Sequence, residues 1–199
     1  MNPAILPVLD GPRLRLRPMC LADAEGPYLR WMNDPQVTRH LESRFTAHSR
    51  DDLRGFIQSM VNDPRYVFLA ICIRESDRHV GNIKLGPIVQ PHRLADVGMI
   101  IGETDCWGLG FATEAVRLIS QHAFEQLQLH KLTAGCYGTN LASARALQKA
   151  GFVIEAVRPS HFLQDGVFVD YVVLGQVNPR ELTSPASAAS SPAATIPLA

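Results

Sequence analysis

Apolar and polar positions change period several times along these 199 residues. Arg13, Arg15 and Arg17 alternate with Leu14 and Leu16, the period-two pattern of a half-buried strand with its arginines outward, and Pro18 ends it. Residues 22–33 read as a helix stopped by Asn33-Asp34-Pro35, where Asp34 can cap a short following helix whose first residue is Pro35. Ser49-Arg50-Asp51-Asp52 approximates a capping box and opens a helix from Arg50 to Val61. Tyr66 to Arg74 and His79 to Leu85 are β-rich runs joined by a polar turn, and Asp96 to Ile101 is a further strand. From Phe111 to Leu129 the period becomes helical, with Ala112, Val116, Ile119, Ala123 and Leu127 on one apolar face. A strand from Lys131 to Tyr137 follows. Leu141 to Ala150 is then a helix-forming run with Asn140 as N-cap, Lys149 at the C-terminal dipole and Gly151 at the left-handed position beyond it. Two last strands, Val153 to Val157 and Phe168 to Leu174, flank the turn signal Asp165-Gly166.

The chain is long enough for one domain with a substantial core. The folded unit is expected to span residues 1–177. The segment 178–199, rich in Ser, Ala, Thr and Pro, is expected to be disordered because it cannot bury enough surface to offset its ordering entropy. Nineteen basic and nineteen acidic residues give zero formal net charge, so no nucleic-acid partner is expected. No apolar run approaches the roughly 20 residues of a membrane span, and a secretory leader is missing from the N-terminus, so a cytoplasmic location is expected. The four cysteines are 52, 34 and 30 residues apart without a Cys-x-x-Cys pair, the usage of buried free thiols in a reducing compartment. The seven histidines lack ligand spacing, and no metal site is expected.

Chemistry concentrates in Trp107-Gly108-Leu109-Gly110-Phe111-Ala112-Thr113-Glu114. Here a Gly-rich turn opens directly into the long amphipathic helix. The first turn of a helix leaves N–H groups without intrahelical partners at the positive end of the macrodipole, and glycines allow close approach, so phosphate is the natural guest. A dinucleotide fingerprint fails because Thr113 stands where the third glycine belongs, and a P-loop fails for want of Gly-Lys-Ser/Thr. The pattern that fits is Gln/Arg-x-x-Gly-x-Gly/Ala, with Gly110 and Ala112 in its small positions and Trp107 in place of Gln or Arg. It resembles the pyrophosphate loop of the GNAT N-acetyltransferases, in the aromatic form of their RimJ/RimL-like branch. A second segment, Asn140-x-x-Ser143 followed by Lys149-x-Gly151-Phe152, is similar to the second hallmark of that family and stands in the right order after the first. Locally it also reads as nothing more than a well-capped helix.

The resemblance implies an α/β fold, a central mixed and mostly antiparallel sheet with helices on both faces. It also implies acetyl-CoA as co-substrate and direct attack by a primary amine, either a protein N-terminus or a small molecule. Amino-sugar nucleotides and polyamines are alternative acceptors, a non-catalytic CoA-binding module is the alternative of another class, and a homodimer is a possible assembly. By the same resemblance Leu109, Gly110, Phe111, Ala112 and Thr113 hold the pyrophosphate, Met99, Ile100 and Ile101 meet the pantetheine arm, and Asn140 and Lys149 assist. Asp96, fourteen residues before Gly110, stands where the family often carries a catalytic Glu. His161 is a second candidate base, since an imidazole with its ordinary pKa of about 6.5 suits neutral pH. Leu147 occupies the place of the family's proton-donating Tyr; the resemblance to RimL-like enzymes, which carry Ser at the Asn-x-x-Ser place, implies Ser143 as candidate acid, although it also reads as a mere helix-start residue. The resemblance places Trp31, Asn33 and Asp170 in the segments that contact the acceptor, although Trp31 reads more readily as packing its helix. A lysine-like amine of pKa about 10.4 is roughly one part in two thousand neutral at pH 7, whereas an α-amine is about a tenth neutral and barely needs a base.

Overall fold

A computed structural model describes residues 6–182. Among these residues eight strands form one sheet in the order β1-β2-β3-β4-β5-β6-β8-β7, namely β1 Leu9–Asp10, β2 Leu14–Pro18, β3 Val67–Ile73, β4 His79–Leu85, β5 Leu94–Ile101, β6 Lys131–Tyr137, β7 Val153–Gln164 and β8 Val167–Val177. Every neighbouring pair is antiparallel except β5 and β6. The helices are α1 Tyr28–Met32, α2 Pro35–Thr38, α3 Arg50–Asn62, α4 Phe111–Glu125, α5 Leu141–Lys149 and α6 Pro179–Leu182. No helix among the described residues is long and apolar enough to cross a membrane.

Each sheet face carries its own core. On one, Leu14, Leu16, Leu69, Ile83, Val97 and Leu132 pack against Phe111, Val116, Ile119 and Ala123 of α4 and Ala144 and Leu147 of α5. On the other, Phe68, Ala70 and Cys72 meet Tyr28 and Trp31 of α1 and Leu53 and Ile57 of α3. The expected alternation in β2 holds: Leu14 and Leu16 are fully buried, while Arg15 pairs with Asp10 and Arg17 with Asp23 at the strand's margins. The predicted mixed sheet with helices on both faces is what forms.

Several boundaries move for identifiable reasons. The helix expected over 22–33 is split, a 3₁₀ turn at Leu21–Glu25 being separated from α1 by Gly26 and Pro27; proline has no N–H with which to continue a helix. Helix α4 ends at Glu125 rather than Leu129, with Gln128 left-handed at φ 53°. Its buried stripe is also rotated: Phe111, Ala115, Val116, Ile119, Ala123 and Phe124 face the core, whereas Ala112 is only half-buried. The β7–β8 hairpin is longer than its predicted strands, because the Arg158–Phe162 stretch bulges at Pro159 and at Ser160, φ 51°, without ending the ladder. Asp165 and Gly166, at φ 51° and 80°, close it as expected of a tight hairpin turn. The fold also continues past Val177. Asn178 is buried and donates to the Leu129 carbonyl at 3.0 Å, and Glu181 of α6 pairs with Arg93 and His130. The remainder of the expected tail, 183–199, lies outside the described residues.

Candidate active site

The only parallel pairing among the described strands sets the position of the site. β5 and β6 are joined solely through Leu94–Lys131, Ala95–Leu132 and Asp96–Thr133, after which β5 runs on beside β4 alone. Gly86 N–H bonds to the Asp96 carbonyl and Gly102 N–H to that of Val80. By strand alternation the backbone groups of Asp96, Gly98 and Ile100 therefore face β4, and those of Val97, Met99 and Ile101 face the opened edge. Ile101 shows this directly, since its carbonyl accepts the Trp107 indole N–H at 2.8 Å. Ile100, expected to offer backbone to a ligand, uses it within the sheet and contributes only a cleft-lining side chain.

Beyond β5 the chain turns through Gly108 and Gly110, both left-handed at φ 76° and 81°, into α4. Gly110 is the N-cap and has no side chain to offer, so the first-turn N–H groups of Phe111, Ala112 and Thr113 have no intrahelical partner. The turn is braced from below. Glu114 accepts from Arg13 N–H at 2.8 Å and Leu14 N–H at 3.0 Å through one oxygen, and from Arg13 Nε at 2.8 Å through the other. Arg13 then donates to the Leu109 carbonyl at 2.8 Å. This brace went unnoticed in the sequence, where Arg13 and Glu114 stand 101 positions apart.

A cleft of about 440 Å³ connects these parts. The edge residues Met99, Ile100 and Ile101 form its floor; Gly110, Phe111, Ala112, Thr113, Asn140, Ser143, Arg145 and Lys149 form one wall; Gln36, Val37, Arg39, His40 and Leu41 form the other. Asn140 caps α5 by accepting Ser143 N–H at 3.2 Å, the local role expected of it, and both residues face the cleft. Leu147 is buried in the core, where it can donate nothing. Leu109 is exposed on the loop and held by Arg13. Cys106 also lines the cleft, but burial, with Asp105 beside it, pushes its thiol pKa up, opposite to the lowering that a helix start could give.

The remaining predicted residues stand elsewhere. Trp31 is fully buried: its ring packs 5.0 Å from His79 and its N–H is taken by Glu103 at 2.9 Å, so the expected acceptor contact gives way to a core role. Asn33 ties the end of α1 to the loop before α3 through the Leu29 and His48 carbonyls and His48 N–H, and does not line the cleft. Asp170 accepts Ser160 N–H at 3.0 Å and steadies the β7 bulge. His161 is exposed and stacks on Tyr171 at 5.3 Å. Asp96 sits at the fork where β5 and β6 part. The surrounding protein raises its pKa, against the opposing hydrogen bond from Thr133 at 2.9 Å. None of these five residues lines the cleft.

The wall 36–41 was missed in the sequence. Its first turn is marked locally, since Asp34 caps α2 by accepting Gln36 N–H at 2.8 Å as expected, but its place over the cleft is not, because it is strapped down from afar. Arg44 donates to the Leu41 carbonyl at 3.1 Å, the Tyr137 hydroxyl at 2.7 Å and the Leu163 carbonyl at 2.8 Å, and Tyr137 in turn donates to Glu42.

A helix start with free N–H groups beside the open edge of a forked sheet is the arrangement that the two sequence motifs imply, and residues 13–153 match the family model described as "Acetyltransferase (GNAT) domain". The chain belongs to the GNAT acetyltransferase family. It is 30% identical over 183 residues to "Probable N-acetyltransferase YjcK" of Bacillus subtilis (strain 168), covering 86% of this chain and 98% of that protein. The solved spermidine N-acetyltransferase of Vibrio cholerae, in complex with CoA and spermine, shares the fold with a TM-score of 0.76 at 20% identity, covering 87% of this chain and all of that one (100%). The microcin C7 self-immunity acetyltransferase MccE, in complex with acetyl-CoA and AMP, superposes with a TM-score of 0.72 at 18% identity over 84% of this chain and 93% of its own. This protein is therefore an N-acetyltransferase of the GNAT type, an acetyl-CoA-dependent class of enzyme.

Proposed function

We propose that the cleft binds acetyl-CoA and that the enzyme passes its acetyl group directly to a primary amine, a protein N-terminus or a small-molecule amine. The observation that carries this reading is the joining, in one cavity, of the uncapped start of α4 with the unpaired edge of β5. The residues present fit the co-substrate. Two left-handed glycines leave the Phe111, Ala112 and Thr113 N–H groups bare for the pyrophosphate, and Lys149 adds a cation on the same wall. Met99 and Ile101 turn backbone groups toward the pantetheine arm, and a single N–H aimed at the developing oxyanion is typically worth about 3 kcal/mol. In this reading Ser143 delivers a proton toward the leaving sulfur, and Asn140 both caps α5 and touches the arm.

Charge narrows the acceptor. Arg39, Arg145 and Lys149 line the cleft, and no carboxylate is among the described residues that line it. A polyamine carries several positive charges that this wall would repel. The reading therefore favours an amine bearing one positive charge, such as a peptide α-amine, or one that carries a negative group, such as an amino-sugar nucleotide. Thiol release from acetyl-CoA, assayed against peptides, amino acids, amino sugars and their nucleotides, and polyamines, tests this. Turnover with a monoamine class and little with spermidine is expected. Binding of CoA with no turnover on any amine would instead make the chain a non-catalytic CoA-binding module.

A further inference from the structure

We infer that His40, on the wall opposite the start of α4, is the group that takes the proton from the acceptor amine. The inference rests on the acetyl-transfer reading above and goes beyond it by naming the base.

The cleft lining itself makes the selection. Its ionisable side chains are Arg39, His40, Cys106, Arg145 and Lys149. Arginine and lysine side chains are donors only, and the Cys106 thiol is held protonated by burial and by Asp105. Ser143 has a hydroxyl with no basic partner. Neither Asp96 nor His161 lines the cleft. A neutral imidazole, in contrast, carries one nitrogen lone pair able to accept a proton. Burial keeps His40 on the neutral side, lowering its pKa with help from the Arg39 and Arg44 charges and against the weaker pull of Asp165.

Position supports the same role. The His40 ring lies 5.9 Å from that of Tyr137, and Arg39 Nε donates to His40 Nδ1 over a long 3.5 Å, a contact that opens when the imidazole takes the amine proton. Gln164 of β7 bonds the Arg39 carbonyl at 3.5 Å, and Arg44 fastens the next turn to β6 and β7. The groups that face His40 are thus Arg39 on its own segment, Arg44 and the Glu42-bonded Tyr137 beside it, and Asp165 from the hairpin. Arg44 is a positioning residue, because it holds the wall and contacts no reacting atom.

The transfer balances as follows. The ammonium R–NH₃⁺ gives one proton to His40 and becomes R–NH₂, and its lone pair forms the C–N bond to the thioester carbonyl carbon. The C–S bond breaks with its electron pair on sulfur, a second N–H proton leaves the nitrogen, and one proton reaches sulfur by way of Ser143. The products are R–NH–CO–CH₃ and CoA–SH, and the remaining proton passes from His40 to solvent.

The test compares wild type, His40→Gln and His40→Ala with the best acceptor, from pH 6 to pH 10. At pH 7, kcat should fall about 10²-fold for an acceptor whose amine pKa is near that of lysine, and between about three- and tenfold for an α-amine that is already about a tenth neutral. Acetyl-CoA affinity by calorimetry and the melting temperature should stay near wild type. The defect should shrink as pH rises through the amine's own pKa, and added imidazole should restore part of the His40→Ala rate. A loss that is the same at every pH and not rescued by imidazole would overturn the assignment, as would wild-type kcat at pH 7. Failure of the wild-type protein itself to bind or use acetyl-CoA would be a different result, one that sinks the acetyl-transfer reading rather than the choice of base.

Discussion

Replacing Glu114 by alanine removes the brace beneath the start of α4, and the structure gives the size of the effect. The carboxylate accepts two backbone N–H groups and one guanidinium N–H, and its side chain is 12% exposed. A hydrogen bond to a charged group contributes about 1.5–3 kcal/mol, and an orphaned donor costs most where water cannot reach it. Leu14 N–H is partly buried and keeps no substitute, so its loss takes that full range. Arg13 is half-exposed, so water replaces much of what its N–H and guanidinium lose, leaving about 1 kcal/mol between them. The total is about 3 kcal/mol, or a fall of about 6–12 °C in melting temperature for a domain of this size. Arg13, freed from Glu114, also holds the Leu109 carbonyl less firmly, so acetyl-CoA should bind several-fold more weakly in any variant that remains folded. Glu114→Gln keeps the shape and one acceptor for the two backbone N–H groups but turns an NH₂ toward Arg13 Nε, and should fall between the two. Calorimetric or fluorescence melting of the three proteins decides the matter. A loss of less than 2 °C in the alanine variant would refute the reasoning.

Two further outcomes follow from the same geometry. Ser143→Ala should lower kcat about tenfold or more if its hydroxyl serves the thiolate, whereas Asp96→Asn, whose carboxyl lies outside the cleft lining, should keep kcat at pH 8 within about tenfold; steady-state rates at saturating acetyl-CoA check both, and the reverse order would contradict the placement. Acidification should destabilise the fold beginning near pH 6.5, because burial lowers the pKa values of His79 and His122 in the folded chain and the unfolded chain therefore binds more protons as pH falls through that window. For Asp23, burial alone would raise the pKa, but the bonds from Arg17 and from Cys20 N–H outweigh it; that stabilisation is present above the usual carboxylate range and is lost only below it. Melting temperatures at pH 7.5 and 5.5 should thus differ, and a flat profile would be the wrong sign for the histidine account.

The sequence carried the fold further than the site. Periodicity located β2, β3, β4, α3 and α5 because each is amphipathic or capped by its own neighbours, as Ser49 and Asp52 show by bonding reciprocally at the start of α3. The start of α4 was legible for the same reason, since Gly108 and Gly110 are needed where they stand. Long-range devices were not legible. The Arg13–Glu114 brace, the Arg44 strap and the placing of the wall that holds His40 depend on partners about 100 residues away, and no local pattern announces them. Trp31 illustrates the converse. Its place in an acceptor-contacting segment suggested a ligand, yet the hydrogen bond to Glu103 beneath α1 commits it to the core. The strand expected over Val153 to Val157 instead runs on as β7, because pairing with β8 carries it through the bulge at Pro159 and Ser160.

The central claim is that the start of α4 receives the pyrophosphate of acetyl-CoA, and calorimetric titration of wild type and Gly110→Val with acetyl-CoA tests it most directly. A Cβ at Gly110 would approach only Arg13 among neighbouring groups, at 3.5 Å, but φ 81° is a conformation that a β-branched residue avoids, and the side chain would stand among the N–H groups meant for the phosphates. Wild type should bind with a clear heat of titration, and the folded valine variant should bind at least tenfold more weakly. A folded Gly110→Val protein with wild-type affinity would contradict the account.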